Sequence, residues 1–296
     1  MLVVCFVAGI LMHRAKLMPE SAPAVLNAFI IHISVPALAL LYIHDLKISG
    51  DTVLVVLMAW LYFAIAAGFF LLVGKYMKFS RSTVGALLLT GGLGNTAFFG
   101  LPMIEAFFGH AGIATGILID QTGSFMVLST LGIAVASYYS SGRPDTAAIV
   151  RNILRFPPFI AMMIAFVLLP VDYPDWLSAV LKRLGDTLAP LALLSVGMQL
   201  RLGHLWGNCC TLIFGLTFKL LLAPLVFYLL YVKMLGAHGL AIQVTLFEAA
   251  MPPMITGAIL AKEKNLDPDL ATLMVAVGLP LSFLTLTGWW WLLKSI

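Results

Sequence analysis

Two hydrophobic segments of this chain are each broken near the middle by residues that disrupt helices. The first break lies in residues 93–102 (LGNTAFFGLP), and the second lies in residues 250–257 (AMPPMITG). The two breaks occupy comparable positions in the two halves of the sequence. Non-helical backbone at membrane depth is tolerated only where it is buried in protein or lines a cavity. Paired breaks in corresponding segments therefore predict the binding site of an inverted-repeat transporter.

The composition predicts an all-α integral membrane protein. The 296 residues are 61% hydrophobic and 10% charged, whereas soluble domains average about 45–50% apolar and about 25% charged residues. A soluble core of this chain length cannot absorb so much apolar surface. The net charge of +4 does not indicate nucleic-acid binding, because the basic residues cluster at the ends of hydrophobic segments.

Ten hydrophobic segments, called spans 1 to 10 below, are predicted to cross the bilayer. A transmembrane helix needs about 20 apolar residues. Span 1 reaches only about 18 Å at 1.5 Å per residue, which we interpret as a truncated helix or a misplaced start. The predicted spans are residues 1–13, 22–43, 52–76, 82–108, 112–140, 153–170, 186–202, 205–231, 238–261 and 269–294.

The distribution of basic residues predicts the orientation. Eleven of the 17 Lys and Arg residues fall on one side of the predicted bilayer and five on the other, with Lys219 inside span 8. Because positive residues favour the cytoplasmic side, we expect a multi-pass protein of the cell inner membrane with both termini outside. The linker at residues 141–152 is then cytoplasmic.

Weak internal similarities indicate two repeats of five spans. Pro36 in span 2 corresponds to Pro190 in span 7, and Ala114 in span 5 corresponds to Ala271 in span 10. These offsets of 154 and 157 residues agree with the offset of 158 between the two breaks. Five is an odd number, so the second repeat must enter the membrane inverted. We expect repeats at 1–140 and 153–296, joined by the linker at 141–152.

The breaks predict a substrate site where spans 4 and 9 cross. Each broken span would leave a half-helix whose N-terminus carries free N–H groups and a positive dipole end, which favours an anion. The alternative is that glycine and proline merely kink the two helices. The predicted binding residues are Gly94, Asn95, Thr96, Met251, Pro252 and Pro253.

Three ionisable residues inside the predicted membrane region are candidates for ion coupling. Lys219 lies in the middle of span 8, where a basic group costs about 2.5–3.5 kcal/mol on insertion scales, so we expect a carboxylate or backbone carbonyls beside it. It could hold substrate charge, respond to protons or tie helices together. Glu248 precedes the second break by one helical turn, and protonation or pairing of its carboxylate would suit proton coupling. Asp120 could instead cap or pair locally.

At the breaks the chain resembles the auxin efflux carrier family. The stretch at 93–102 resembles the first crossover segment of that family, and 250–253 is similar to the second. Residues 193–200 (LLSVGMQL) and 260–272 (LAKEKNLDPDLAT) also resemble family stretches, and Gln121 matches a family position, which adds it to the predicted binding residues. The resemblance covers essentially the whole chain. Plant members carry proline at Gly94 and usually glutamine at Glu248 and Pro253.

The resemblance implies the architecture and the mode of action. Spans 1, 2, 6 and 7 would form a scaffold, and spans 3–5 and 8–10 a transport domain that moves as an elevator, often within a homodimer. It implies a secondary transporter of a small carboxylate such as malate or malonate, with no cofactor. The sequence shows no motif with metal-ligand spacing and no HExxH motif, so we do not expect an enzyme. A sodium-coupled organic-anion symporter of the bile-acid-carrier type is the main alternative, and a channel or sensor is another.

Overall fold

The computed structural model describes residues 2–43, 52–140, 151, 154–199 and 209–296. The described residues form helices and no strand, which confirms the all-α prediction. Most of the predicted linker, and with it Lys47, Arg143 and Arg201, lies outside these ranges. Five helices are long and apolar enough to cross a membrane, in agreement with an integral membrane protein: Ala22–Ile43, Thr52–Tyr76, His110–Tyr139, Cys209–Met234 and Pro268–Leu293.

The remaining spans consist of shorter helices. Span 1 is Leu2–Arg14, span 6 is Pro157–Val167, and span 7 is Leu188–Gln199 as far as it is described. Span 6 begins later than predicted because Pro157 occupies the first helical position, where its missing N–H is harmless. An amphipathic helix, Asp175–Gly185, lies between spans 6 and 7 and was not predicted.

Both predicted interruptions are present. Span 4 consists of Arg81–Gly91, a non-helical stretch, and a second helix over Thr96–Phe108 that opens with a π-helical turn. Span 9 consists of Leu240–Ala249 and Ile255–Glu263. Glycines destabilise the first interruption, and Pro252 and Pro253 lack the N–H groups that would continue the second helix.

Spans 1, 2, 6 and 7 pack against one another, and we call them the first group. Span 1 lies directly on span 7, and span 6 lies on the second half of span 2. Gly9 and Gly197 permit the close approach of spans 1 and 7. A Cβ atom on Gly9 would collide with the carbonyl of Leu194, and one on Gly197 would collide with the carbonyl of Phe6.

The other six spans form the second group. Ile255–Glu263 packs on Arg81–Gly91 and on Pro268–Leu293, and span 3 packs on spans 4, 5 and 9. Gly257 has no room for a side chain, because a Cβ atom there would collide with the carbonyl of Leu89. The two groups touch where span 2 meets span 5 and where span 7 meets span 4.

Candidate functional site

The two interruptions cross and are hydrogen-bonded to each other. The Asn95 N–H donates to the Pro252 carbonyl at 2.9 Å, and the Met254 N–H donates to the Leu93 carbonyl at 3.2 Å. Gly94 faces Pro253 across this short antiparallel bridge. Backbone groups that leave the helices therefore find partners in the other broken span, which is how buried non-helical backbone is stabilised.

The second halves of spans 4 and 9 both begin at the crossing. Asn95 is the N-cap of the first and Met254 the N-cap of the second, and neither side chain caps its own helix. The N–H groups and positive dipole ends of two helices therefore meet beside the bridge. This arrangement favours an acceptor or an anion at the crossing.

Asp120 and Gln121 lie beside the crossing, in a π-helical turn of span 5, Ile119–Ser124. The Thr96 hydroxyl donates to Asp120 Oδ1, and Gln121 Nε2 donates to Asp120 Oδ2 at 2.6 Å. Both Asp120 oxygens are thus occupied. Asn95 Nδ2 and Gln121 Oε1 are buried and have no hydrogen-bond partner among the described residues, so one donor and one acceptor are left for another molecule.

A cavity of about 140 Å³ lies on one side of the crossing, and we call it the apolar cavity. Its walls come from both groups of spans, because spans 2 and 6 face spans 4, 5 and 9 across it. Phe125 of span 5 stacks on Phe156, just before span 6, with ring centroids 4.0 Å apart. The lining residues are Ile30, Ile31, Val35, Asn95, Ala97, Phe98, Asp120, Gln121, Phe125, Leu128, Phe156, Pro158, Met254 and Thr256.

A second cavity of about 10 Å³, which we call the polar chamber, lies on the other side of the crossing. Gly94 and Thr96 line the chamber, whereas Asn95 and Ala97 line the apolar cavity. The crossing segment of span 4 therefore separates the two spaces. The chamber has the size of one water molecule. Its lining residues are Met58, Ala59, Tyr62, Gly92, Leu93, Gly94, Thr96, Ser124, Lys219, Glu248 and Ala249.

Lys219 is buried in the polar chamber with Tyr62 as its partner. Its Nζ donates to the Tyr62 hydroxyl at 2.9 Å and lies 4.1 Å from the ring centroid. The Tyr62 hydroxyl in turn donates to the Lys219 carbonyl at 3.3 Å. The expected carboxylate lies nearby, because Glu248 lines the same chamber and interacts electrostatically with the ammonium group. The hydrogen-bond partner, which we did not expect, is a tyrosine on span 3. A lone polar side chain in a long apolar span was the only sequence signal for Tyr62.

Glu248 enters the same chamber from span 9. Its side chain is 1% exposed, and neither carboxylate oxygen has a hydrogen-bond partner among the described residues. The carboxylate packs on Gly100, where a Cβ atom would lie 2.7 Å from Oε1. Glu248 also interacts electrostatically with Lys219 and Asp120. A buried carboxylate without a hydrogen bond is costly, and such groups mark functional sites more often than structural ones.

The predicted residues thus divide into three sets. Asn95, Asp120 and Gln121 line the apolar cavity, and Gly94, Thr96, Lys219 and Glu248 line the polar chamber. Met251, Pro252 and Pro253 are buried and shape the crossing, but they line neither of these two cavities. Sequence reasoning missed Tyr62 and Ser124 in the chamber, and it missed the apolar wall contributed by spans 2 and 6.

One group of possible metal ligands occurs among the described residues, away from both cavities. Ligand atoms of Glu105, His110 and Asp186 lie within 4.8 Å of one another. The Lys182 ammonium already contacts Asp186 at 3.1 Å. Glu105, His110 and Asp186 are partly or fully exposed, and none of the three lines either cavity at the crossing.

Comparison with known proteins identifies the family. The sequence model of the family described as "Membrane transport protein" matches residues 1–148 and 145–290. The chain belongs to this family, the auxin efflux carrier family that its motifs resemble, and is a membrane transporter.

Two curated archaeal proteins are similar to the chain over almost its full length. An uncharacterised transporter of Methanocaldococcus jannaschii is 26% identical over 94% of this chain and 92% of its own length. An uncharacterised transporter of Methanothermobacter thermautotrophicus is 27% identical over 95% of this chain and 92% of its own length.

Proposed function

We propose that the protein is a secondary active transporter of a small organic anion, a carboxylate, which binds where broken spans 4 and 9 cross. The observation that carries this proposal is the apolar cavity at the crossing, with the unpartnered Asn95 Nδ2 at its edge. Two helix N-termini begin at the same place. The substrate carboxylate accepts hydrogen bonds from Asn95 and from these backbone groups.

The division into two groups of spans supports an elevator movement. The first group, spans 1, 2, 6 and 7, acts as a scaffold, and the second group carries the substrate past it. The apolar cavity lies between the groups, so a relative shift changes which side of the membrane the cavity faces. The Phe125–Phe156 stack joins the two groups and separates in each cycle. Two inverted five-span repeats provide the two related states.

The polar chamber is the proposed coupling site. Lys219 and Glu248 are both 1% exposed, and any change in their charge alters the field beside the bound anion. Glu248 takes up and releases the coupling proton, Lys219 holds the charge balance, and Asp120 transmits the change to Thr96 and Gln121. The Glu248 carboxylate is also the observation that favours the sodium-coupled alternative, since its oxygens have no partner. Uptake into vesicles that requires sodium at constant pH would select that alternative.

Substitution of Asn95 tests the location of the site. We expect Asn95→Ala to weaken binding of the organic acid that best stabilises the purified protein in a screen of small carboxylates. The loss of one charge-assisted hydrogen bond is worth about 1.5–3 kcal/mol, so the affinity falls by roughly ten- to a hundred-fold. Isothermal titration calorimetry measures this change directly.

Asn27→Ala is the matched control for this experiment. Asn27 lies in span 2 and accepts a hydrogen bond from Ser195 at 2.7 Å, and it lines neither cavity. The control removes the same amide from the scaffold and leaves the affinity unchanged. Equal affinity of wild type and Asn95→Ala would place the binding site elsewhere.

A further inference from the structure

The helix between spans 6 and 7, Asp175–Gly185, packs on the first group of spans, and we call it the connecting helix. It lies on the second half of span 2, Val35–Ile43. Leu181 and Gly185 are buried, and a Cβ atom on Gly185 would collide with the Leu38 side chain. One face of the connecting helix is therefore fixed to span 2.

A neighbouring face of the connecting helix carries large apolar side chains that the described residues leave exposed. Trp176, Val180 and Leu184 follow one another at intervals of four residues, so they form one stripe along the helix. They are 67%, 46% and 36% exposed. A contiguous exposed apolar surface marks an interaction site, whereas single exposed apolar residues do not.

The third face of the connecting helix is polar. Asp175, Lys182 and Asp186 lie on it at helical spacing, together with the small, exposed Ala179. The Lys182 ammonium contacts Asp186 at 3.1 Å, so the charges on this face are satisfied by each other and by water. A helix with a broad apolar side and a charged side, which carries tryptophan and basic residues, is typical of helices that lie in the plane of a membrane interface.

The depth of the connecting helix agrees with such a position. Leu38, which Gly185 contacts, precedes Ile43 by five residues, and Ile43 ends the described part of span 2. Five residues of a helix correspond to about 7.5 Å along its axis. Interfacial helices bury their apolar face about 5–10 Å into the boundary between head groups and acyl chains.

Arg183 indicates that the partner of the stripe is phospholipid. It lies seven residues after Trp176, about two helical turns, and therefore at the edge of the same stripe. Arg183 is exposed and has no hydrogen bond or ion pair within the described part of the chain. A guanidinium group matches the geometry of phosphate, and tryptophan is enriched where acyl chains meet head groups.

We propose that the connecting helix lies in the bilayer interface, with Trp176, Val180 and Leu184 against the acyl chains and Arg183 on a phospholipid phosphate. The helix then holds span 2, which forms one wall of the apolar cavity, at a fixed depth in the membrane. The proposal concerns the first group of spans and does not depend on which substrate binds at the crossing.

Two adjacent single-cysteine variants test the proposal on the full-length protein in phosphatidylcholine nanodiscs. Val180→Cys and Ala179→Cys are introduced separately after removal of Cys5, Cys209 and Cys210. Both positions are exposed in the protein itself, so only material outside the chain can distinguish them. We expect a charged maleimide to react about ten-fold more slowly at Val180→Cys, because the acyl chains cover it. After denaturation the two rates agree within about two-fold.

A bimane label on each cysteine identifies what covers the stripe. Phosphatidylcholine that is brominated on its acyl chains quenches a label that it contacts. We expect strong quenching at Val180→Cys and weak quenching at Ala179→Cys. Adding Arg183→Glu to Val180→Cys lowers the quenching, because the carboxylate repels the phosphate. Arg183→Lys retains the positive charge and is the matched control, with quenching unchanged.

Three results would contradict the proposal. Equal maleimide rates at the two positions in nanodiscs would overturn it, because the stripe would then face water. Protection of Val180→Cys without quenching by brominated lipid would overturn it in favour of a protein partner, and disulfide formation between two copies of Trp176→Cys would identify that partner as a second chain. Unchanged quenching in the Arg183→Glu variant would overturn the contact with phosphate.

Discussion

The two cavities at the crossing differ in size, in polarity and in the spans that enclose them. The polar chamber holds about 10 Å³ and is lined by Tyr62, Lys219 and Glu248. The apolar cavity holds about 140 Å³ and is walled mainly by hydrocarbon. Among the residues that the structure describes, those lining the chamber belong to spans 3, 4, 5, 8 and 9, whereas spans from both groups line the apolar cavity.

In the proposed mechanism the two cavities have different tasks, ion coupling in the polar chamber and substrate binding in the apolar cavity. The chamber lies within the second group, so its charged residues would keep their contacts during the proposed movement. The apolar cavity lies between the groups, so the same movement would open or close it. A segment only three residues long, Gly94 to Thr96, separates the two spaces. A change of charge in the chamber can therefore reach a bound anion over a very short distance.

Removal of the ammonium group in the chamber gives the largest expected effect. We expect Lys219→Met to abolish transport while the protein still folds and inserts, because Glu248 then has no nearby cation and stays protonated. The measurement is uptake of the organic acid selected by the stabilisation screen into proteoliposomes over a range of pH, with thermal unfolding in detergent as a check of folding.

Lys233→Met is the matched control for this variant. Lys233 lies at the exposed end of the same span, 5.8 Å from the Tyr228 ring centroid, and its loss leaves transport and its pH dependence unchanged. Full transport by Lys219→Met with a wild-type pH profile would mean that the lysine only ties helices together.

Loss of the Tyr62 hydroxyl gives a smaller expected effect. It tests whether the polar chamber determines the pH dependence of transport while the apolar cavity determines substrate affinity. Tyr62→Phe leaves a buried ammonium donor without its partner, which lowers stability by about 1–3 kcal/mol. We expect the pH dependence of transport to shift, because the hydroxyl contacts Lys219. The affinity for the same organic acid stays within about two-fold of wild type, a difference below about 0.5 kcal/mol, since Tyr62 does not line the apolar cavity. Calorimetry and the transport profile measure the two properties separately.

Tyr231→Phe separates this local effect from a general loss of stability. The Tyr231 hydroxyl donates to the Leu54 carbonyl at 2.7 Å and lies outside the chamber. We expect a similar loss of stability with no change in the pH profile. Identical pH profiles for Tyr62→Phe and wild type would show that Tyr62 is not part of the proposed coupling site.

The sequence alone marks those parts of the candidate site that depend on unusual residues in apolar surroundings. Gly94, Pro252 and Pro253 interrupt helices, and Lys219 and Glu248 are costly in a membrane, so each is visible without a structure. The helices themselves follow from long hydrophobic runs. The short helix Asp175–Gly185 was missed because a polar amphipathic segment between two spans gives no transmembrane signal.

The walls of the apolar cavity could not be predicted in the same way. Ile31, Phe98, Leu128 and Phe156 are ordinary apolar residues in a chain that is 61% hydrophobic. Only the packing of distant spans brings them together, and no periodicity distinguishes a residue facing a cavity from one facing lipid. The predicted contact residues Met251, Pro252 and Pro253 are buried at the crossing and line neither cavity, and their contact with substrate stays a prediction.

The relative movement of the two groups of spans is tested most directly by a crosslink across the apolar cavity. Phe125→Cys and Phe156→Cys, introduced together after removal of Cys5, Cys209 and Cys210, allow a reducible bifunctional thiol reagent to join the groups where the two rings now stack at 4.0 Å. Phe69→Cys with Phe218→Cys is the control, since those rings stack at 4.5 Å within the second group. We predict that crosslinking stops counterflow of the organic acid selected by the screen only in the first variant and that reduction restores it. Undiminished counterflow in the fully crosslinked Phe125–Phe156 variant would contradict the elevator movement.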